Sequence, residues 1–334
     1  MKPEARPAGG PAKHCRWAAL SGCDPFATLN VMLRRVFCGL IAVLYIASAA
    51  RAAVSTTRPM PGMTLERVVQ NDPPLKYFVV SVNLDDPHVH LKVMRGSGKA
   101  HVTAPWETTL MPVSQMAERD GVSVAVNGNL FMARQGPWIF GRRVPYFPGN
   151  PALVCGWAMS GGGVYNPNPR FRNWPSLVVN DRGEVKIGRF KDLPMDAREV
   201  VSGIFQIVTD GRNSAAEDSA AGTFAQPAPR AAAGIDRAGR RLILMVADGR
   251  RPDYSVGITH HRMAEELLAR GAWEAIALDG GGSATLVMRD SQGRVEVVNH
   301  PSDGHDFPVE MSVERSVADA LGVVIDGAPV QQAH

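Results

Sequence analysis

Cysteine is scarce in this 334-residue chain: there are four, and Cys15, Cys23 and Cys38 all precede residue 53. Cys155 is the one thiol beyond that point, so no internal disulfide is expected and stability has to come from packing. Cys155 itself reads as a small, buried apolar residue. Aromatics reach only 7% against 45% hydrophobic and 20% charged residues, an ordinary globular balance that excludes disordered, collagen-like and coiled-coil chains. Long basic runs are missing too. The formal charge of +4 originates in residues 1–52, which hold seven Lys/Arg against Glu4 and Asp24. The remaining 29 basic and 30 acidic side chains nearly cancel. A near-neutral body lacks the footprint of a phosphate-backbone reader, so nucleic acid is not an expected partner. Also absent are a tandem repeat, a Walker A ending and a GxGxxG fingerprint.

What is present begins with a leader. From Met32 the chain runs Met-Leu-Arg-Arg, then the apolar stretch 36–46, then the small residues 47–53, which is the order of a secretory signal. The apolar run is shorter than the roughly 20 residues a membrane-spanning helix needs. Cleavage is expected near Ala49 or Ala52 and translation is expected to start at Met32. Cys38 lies within the apolar run without a lipobox-like pattern, so a soluble, exported product is expected, periplasmic or extracellular, with no stable membrane span. The expected plan is a leader over 1–52, a linker over 53–75, a domain over 76–326 and a tail over 327–334.

Along the domain, residues 76–94 alternate in the strand manner around Asp85-Asp86-Pro87 and read as a hairpin. A helix is expected over 108–119, with Pro112 in its first turn and Gly121 ending it. A strand at 122–126 then leads into Asn127-Gly-Asn-Leu-Phe131. Residues 134–175 are rich in Pro, Gly and Asn and read as loop, 176–188 as a hairpin, 200–208 as a strand, and 210–229 as a long loop and candidate flap. Strands at 231–236 and 241–247, a helix capped by Thr259, a strand at 275–278 and a hairpin over 284–298 complete the pattern. The expected fold class is α+β, a mixed β-sheet with inserted helices and a C-terminal βαβ unit.

That unit brings two carboxylates to the C-terminal ends of strands, Asp248 and Asp279, where open α/β sheets bind ligands. Paired carboxylates are what acid/base or nucleophilic work on a glycosidic bond requires. Gly280-Gly281-Gly282-Ser283 reads either as a tight turn or as an anion-binding concavity of backbone amides. Asn299-His300-Pro301-Ser302-Asp303 and Glu314-Arg315 are further polar clusters. A metal site from His300, Asp303 and His305 matches no known spacing, and neither metal nor cofactor is expected. His88, His90 and His101 read as surface residues.

Taken in order, Asn127-Gly-Asn-Leu-Phe, Pro229-Arg230, Gly234-Ile-Asp236, Asp248-Gly-Arg250, 254–259, Asp279-Gly-Gly-Gly-Ser-Ala-Thr285, Asn299-x-Pro-Ser-Asp303 and Glu314-Arg315 resemble the motifs of the phosphodiester glycosidase domain family. The resemblance spans about 76–325. It implies a hydrolase in which water displaces a phosphomonoester from the anomeric carbon of a sugar, in a saccharide or sugar-phosphate substrate. Catalytic roles are implied for Asp248, Asp279 and Glu314. Substrate-binding roles are implied for Asn127, Arg230, Arg250, Gly280, Gly281, Gly282, Ser283, Asn299, Asp303 and Arg315. Two departures stand out: Asn129-Leu130 replaces the usual Gly-Phe, and Ala231-Ala-Ala233 replaces Thr-Ala-Ile or similar. The expected target is a sugar-1-phosphodiester or related α-glycosidic linkage in envelope or extracellular polysaccharide. A non-catalytic saccharide-binding or exopolysaccharide-assembly factor is the competing reading.

Overall fold

The computed structural model describes residues 52–99, 102–139, 142–167, 169–215, 226–303 and 313–328. The leader with its signal and Met32 start lies outside them, as do His101, His305, residues 216–225 of the expected flap and 329–334 of the tail.

The largest sheet has eight strands in the spatial order Ala53–Thr57, Met63–Asn71, Pro74–Asn83, Arg241–Ala247, Arg230–Ile235, Glu274–Ala277, Phe205–Thr209 and Arg212–Asn213. A five-stranded sheet orders Val295–Val297, Leu286–Arg289, Val124–Asn127, Asp319–Ile325 and Val89–Arg95. Period-2 alternation decides how they meet, because successive side chains leave opposite faces of a strand. Val80, Val82, Leu242, Leu244 and Val246 point inward onto Val124, Val126, Leu321 and Val323. The intervening Tyr77, Val79, Ile243, Met245 and Ala247 pack on the other face against Met263, Ala264 and Leu267.

Those last three belong to α2, His260–Ala269, capped by the Thr259 side chain, which accepts from the Arg262 N–H. The other helix among the described residues, α1 (Val113–Asp120), covers the outer face of the five-stranded sheet through Val113, Met116 and Ala117. Gly121 ends it at φ 66°, as its position in the sequence leads one to expect.

Several expectations are corrected. The protein is predominantly β rather than α+β, with two α-helices among the described residues, of eight and ten residues. Its named strand pairs are antiparallel, so the sheet is not mixed. The strands of the expected βαβ unit, Arg241–Ala247 and Glu274–Ala277, do run the same way, but Arg230–Ile235 lies between them and is antiparallel to both. Residues 76–94 are no hairpin, because Pro74–Asn83 and Val89–Arg95 enter different sheets. Residues 53–75, read as a linker, supply two strands instead, Met63–Asn71 pairing with Pro74–Asn83 from Met63↔Val82 to Asn71↔Pro74. Short strands and loop also make up most of 134–175, and the expected strand 200–208 breaks at Gly203 into Ala197–Ser202 and Phe205–Thr209.

An eight-residue helix is too short to persist alone, and α1 is fixed at both ends by charge. At its N-terminus both oxygens of Glu314 accept from Ser114, from the N–H at 2.8 Å and the hydroxyl at 2.5 Å. At its C-terminus the buried Arg289 donates to the carbonyls of Ala117 at 3.0 Å, Val122 at 3.0 Å and Gly293 at 2.6 Å. An anion at the start and a cation at the end both complement the helix dipole. Replacing Arg289 by Met removes the side-chain donor from the Val122 and Gly293 carbonyls inside the protein, while Ala117 keeps the Val122 N–H, with an expected loss of about 3 kcal/mol. A lowered urea midpoint at unchanged slope is the expected reading.

Candidate active site

The strand order sets the site. Because Arg230–Ile235 runs against its two neighbours, its first residue, Arg230, emerges at the sheet edge where Arg241–Ala247 and Glu274–Ala277 end. Asp248 follows the first of those ends directly and Asp279 follows the second after Leu278. The strands that carry the two acids are therefore two spacings apart, roughly 9–10 Å, rather than adjacent as in a simple βαβ unit.

Asp248 is 1% exposed and its carboxylate is filled. Oδ1 accepts from Asn299 Nδ2 at 3.0 Å and the His300 N–H at 2.8 Å, and Oδ2 from the Tyr254 hydroxyl at 3.2 Å. Burial pushes its pKa up, and those three donors oppose the rise.

Asp279 sits in different company. Burial pushes its pKa up to about 6, against the Ser283 hydroxyl, the charge of Arg315, the Gly280 N–H at 2.9 Å and the charge of Arg250. Arg315 is itself held by a two-point ion pair with Asp303, at 2.7 and 2.9 Å, and reaches Ser283 Oγ at 3.4 Å. Arg230 is buried, and burial together with the like charge of Arg250 lowers its pKa to about 10. Three guanidiniums thus converge on the loop that carries Asp279.

The glycine run makes that convergence possible. Gly281 has φ +62°, and a Cβ there would stand 2.7 Å from Arg250 Nη2. A Cβ on Gly282 would overlap the carboxylate of Asp303 and the guanidinium of Arg315. Three of the loop's four amides are turned to other uses: Gly280 N–H to Asp279, Gly281 N–H to the Pro229 carbonyl at 2.8 Å, and Ser283 N–H to the Gly280 carbonyl at 3.2 Å. Of the two readings of this run, the structure favours a tight turn lined by side-chain cations over a cradle of backbone amides.

Two asparagines fasten the loop. Asn127 donates to the Asp279 carbonyl at 2.7 Å and accepts from the Thr285 N–H at 3.1 Å. Asn299 donates to the Ala284 carbonyl at 3.0 Å and accepts from the Leu286 N–H at 2.8 Å. Both side chains named as substrate binders are therefore engaged with the backbone. Glu314, named as catalytic, caps α1 instead and lies outside the cluster. The structure brings together Arg230, Arg250, Asp279, Gly280, Gly281, Gly282, Ser283, Asp303 and Arg315.

Asn129, one of the two departures, ties three segments: it donates to the carbonyls of Cys155 at 2.8 Å and Trp157 at 3.1 Å, and accepts from the Ser202 N–H at 3.1 Å. Cys155 is buried, with its thiol pushed up to about 11 by burial. Among the described residues no group of three His, Cys, Asp or Glu is arranged to hold a metal, and the His300 ring meets Arg251 at 3.0 Å.

Sequence reasoning missed Asp319. It is fully buried, its carboxylate accepts from the Tyr165 hydroxyl and the Asn129 N–H, each at 2.7 Å, and burial with the charge of Asp279 pushes its pKa up to about 6. One signal was available: it is the lone acid in the apolar run 317–325. Tyr146, whose ring lies 4.0 Å from the Arg315 guanidinium carbon, had none.

A depression of about 1,320 Å³ lies elsewhere, along the edge strand Val89–Arg95. Its buried acid, Glu199, accepts from the N–H groups of Val93 and Gly161, which ties the edge strand and the turn at Gly161 to its carboxylate.

Residues 120–324 match the family described as phosphodiester glycosidase. Over 203 residues the chain is 29% identical to the N-acetylglucosamine-1-phosphodiester alpha-N-acetylglucosaminidase of Bos taurus and 29% identical to that of Homo sapiens. The match covers 57% of this chain and 35% and 36% of those proteins, so the chain spans about a third of the length of these curated relatives. Among solved structures, the zebrafish catalytic domain of the same name, auto-inhibited by its pro-peptide, aligns at TM-score 0.56 and 17% identity, over 82% of this chain and 88% of that one. A hypothetical protein from Synechocystis aligns at 0.54 and 15%, over 83% and 64%. Both share the fold.

Two stability experiments follow from the geometry. Asp279 binds a proton more tightly folded, near pH 6, than unfolded, near 3.9, so its charge destabilises the fold increasingly as pH rises from about 4 to 6. Asp279→Asn is expected to be more stable than the parent by about 1–2 kcal/mol at pH 8, with the difference closing below pH 4; melting at both pH values checks it. Arg250 holds φ +63°, a conformation that L residues resist. Arg250→Gly is expected to raise stability by about 1 kcal/mol while removing a cation from the site, so that melting temperature and ligand affinity move in opposite directions.

Proposed function

The chain belongs to the phosphodiester glycosidase family, and on that premise we propose that it is a hydrolase releasing a sugar from a sugar-1-phosphodiester or related α-glycosidic linkage. The observation that carries this reading is the buried Asp279 carboxylate under the charges of Arg315 and Arg250, with Arg230 beside Gly280 of the same loop. Displacement at an anomeric carbon passes through an oxocarbenium-like state, and phosphate leaves readily once its charge is neutralised. Three guanidiniums fixed in advance meet that demand electrostatically. Asp279, with a pKa near 6, is ionised at neutral pH yet still basic enough to activate water or to attack directly. Asp248 accepts from the Asn299 side chain, the His300 N–H and the Tyr254 hydroxyl, and its role is to hold those groups in place.

The setting we propose is outside the cytoplasm, on envelope or extracellular polysaccharide. It rests on the signal-like order of residues 32–53. Among the described residues no helix is long and apolar enough to cross a membrane.

The test is release of free sugar from a panel of sugar-1-phosphodiesters, UDP-N-acetylglucosamine among them, beside aryl α-glycosides. Turnover of the diesters is expected, falling about 10²–10⁴-fold in Asp279→Asn, with kcat/KM declining on the acid side of about pH 6. Glycan binding without any Asp279-dependent release would give the role to a saccharide-binding or assembly factor instead.

A further inference from the structure

Beyond Arg315 the surface dips into a depression of about 430 Å³ lined by Phe131, Met132, Gln135, Arg143, Pro145 and Tyr146, among others. Its contents differ from those of the reacting centre. No carboxylate lines it, its one charge is the Arg143 guanidinium, and that group is occupied with the Gly136 carbonyl at 3.1 Å and the Trp138 ring at 5.0 Å. Tyr146 is 40% exposed and Met132 39%, so large apolar faces are offered to solvent. Tyr146 is also rigidly mounted: Arg315 lies against its ring at 4.0 Å and Phe131 meets it edge to face at 5.9 Å between centroids.

The order of contacts gives this depression a direction. Asp279 feels the charge of Arg315, Arg315 lies on Tyr146, and Tyr146 lines the depression. With the phosphate of a diester on Arg315 and the anomeric carbon toward Asp279, the substituent on the far side of the phosphate projects toward Tyr146. We propose that the Phe131–Tyr146 depression is the leaving-group subsite, and that it selects diesters whose far substituent is a ring with an apolar face, a second sugar or a nucleoside, over small alkyl groups. An aromatic wall with few polar groups is the usual means of holding such a ring. This inference rests on the hydrolase reading above.

The experiment compares two diesters that share one sugar-1-phosphate and differ in the far substituent, methyl in one and a ring in the other. The parent protein is expected to favour the ring-bearing diester at least tenfold in kcat/KM. Tyr146→Ala is expected to lose about ten times more on that diester than on the methyl diester, mainly through KM, and Tyr146→Phe to keep the preference. Equal losses on both diesters, or no preference in the parent, overturn the proposal, since Tyr146 would then only support Arg315. If neither diester is turned over, the hydrolase reading fails by itself, and calorimetry with the ring-bearing phosphomonoester still decides the subsite. Binding by the parent and Tyr146→Phe but not by Tyr146→Ala upholds it, and equal or absent binding in all three overturns it.

Discussion

Everything at this site depends on two buried side-chain amides holding one short segment. Asn127 fixes the 279–285 stretch from the five-stranded sheet and Asn299 fixes 284–286 from the other side, each giving and receiving a hydrogen bond with backbone. A segment with three glycines has large conformational freedom to lose on ordering. Internal turn bonds alone leave it many arrangements, and the asparagines remove all but one. Asn299 also binds Asp248, so the position of the second acid is coupled to the loop of the first.

With the loop fixed, electrostatics can be strained without disorder. Arg230 and Arg250 are close enough for the charge of one to depress the other, and Asp319 feels Asp279 in the same way. Each pair is a local cost. Asp303 and Tyr165 contain it by pairing with Arg315 and Asp319 respectively, so each strained pair is held beside a satisfied one. Buried acids separate into roles by their donors: Asp248 and Glu314 are filled by structural partners, whereas the partners of Asp279 are cations that a phosphate would share.

Much of this was legible in the sequence. The apolar strand 241–247, the Thr259 cap and the Gly121 stop read correctly because each is a local effect. The motif residues Arg230, Arg250, Asp279, Ser283, Asp303 and Arg315 fall together in space. What failed was non-local. Nothing local distinguishes a hairpin at 76–94 from two strands exchanging sheets across Asp85-Asp86-Pro87, nor a parallel neighbour from a strand inserted between. The class was misjudged for the same reason, since the βαβ order is present in the chain while hydrogen bonding follows a different partner. Glu314 could not be separated from a capping acid in the sequence, because a capping acid and a reacting acid look alike until Ser114 is seen beside one of them.

The inserted strand also explains the distribution of charge. In a parallel pair both strand ends at this edge would present C-terminal residues, here the two acids, with no first residue of a strand between them. An antiparallel strand between them brings its own beginning to that edge, and Arg230 is that beginning. The same reversal lets Pro229 offer its carbonyl to Gly281, docking the acid-bearing loop against the cation-bearing strand. An anion seated among Arg230, Arg250 and Arg315 would relieve the repulsion between the first two. It would also raise the proton affinity of Asp279 by screening the guanidiniums that now oppose it. On the proposed reading, binding would make the carboxylate more basic as the leaving group is neutralised, coupling recognition of phosphate to the strength of the base.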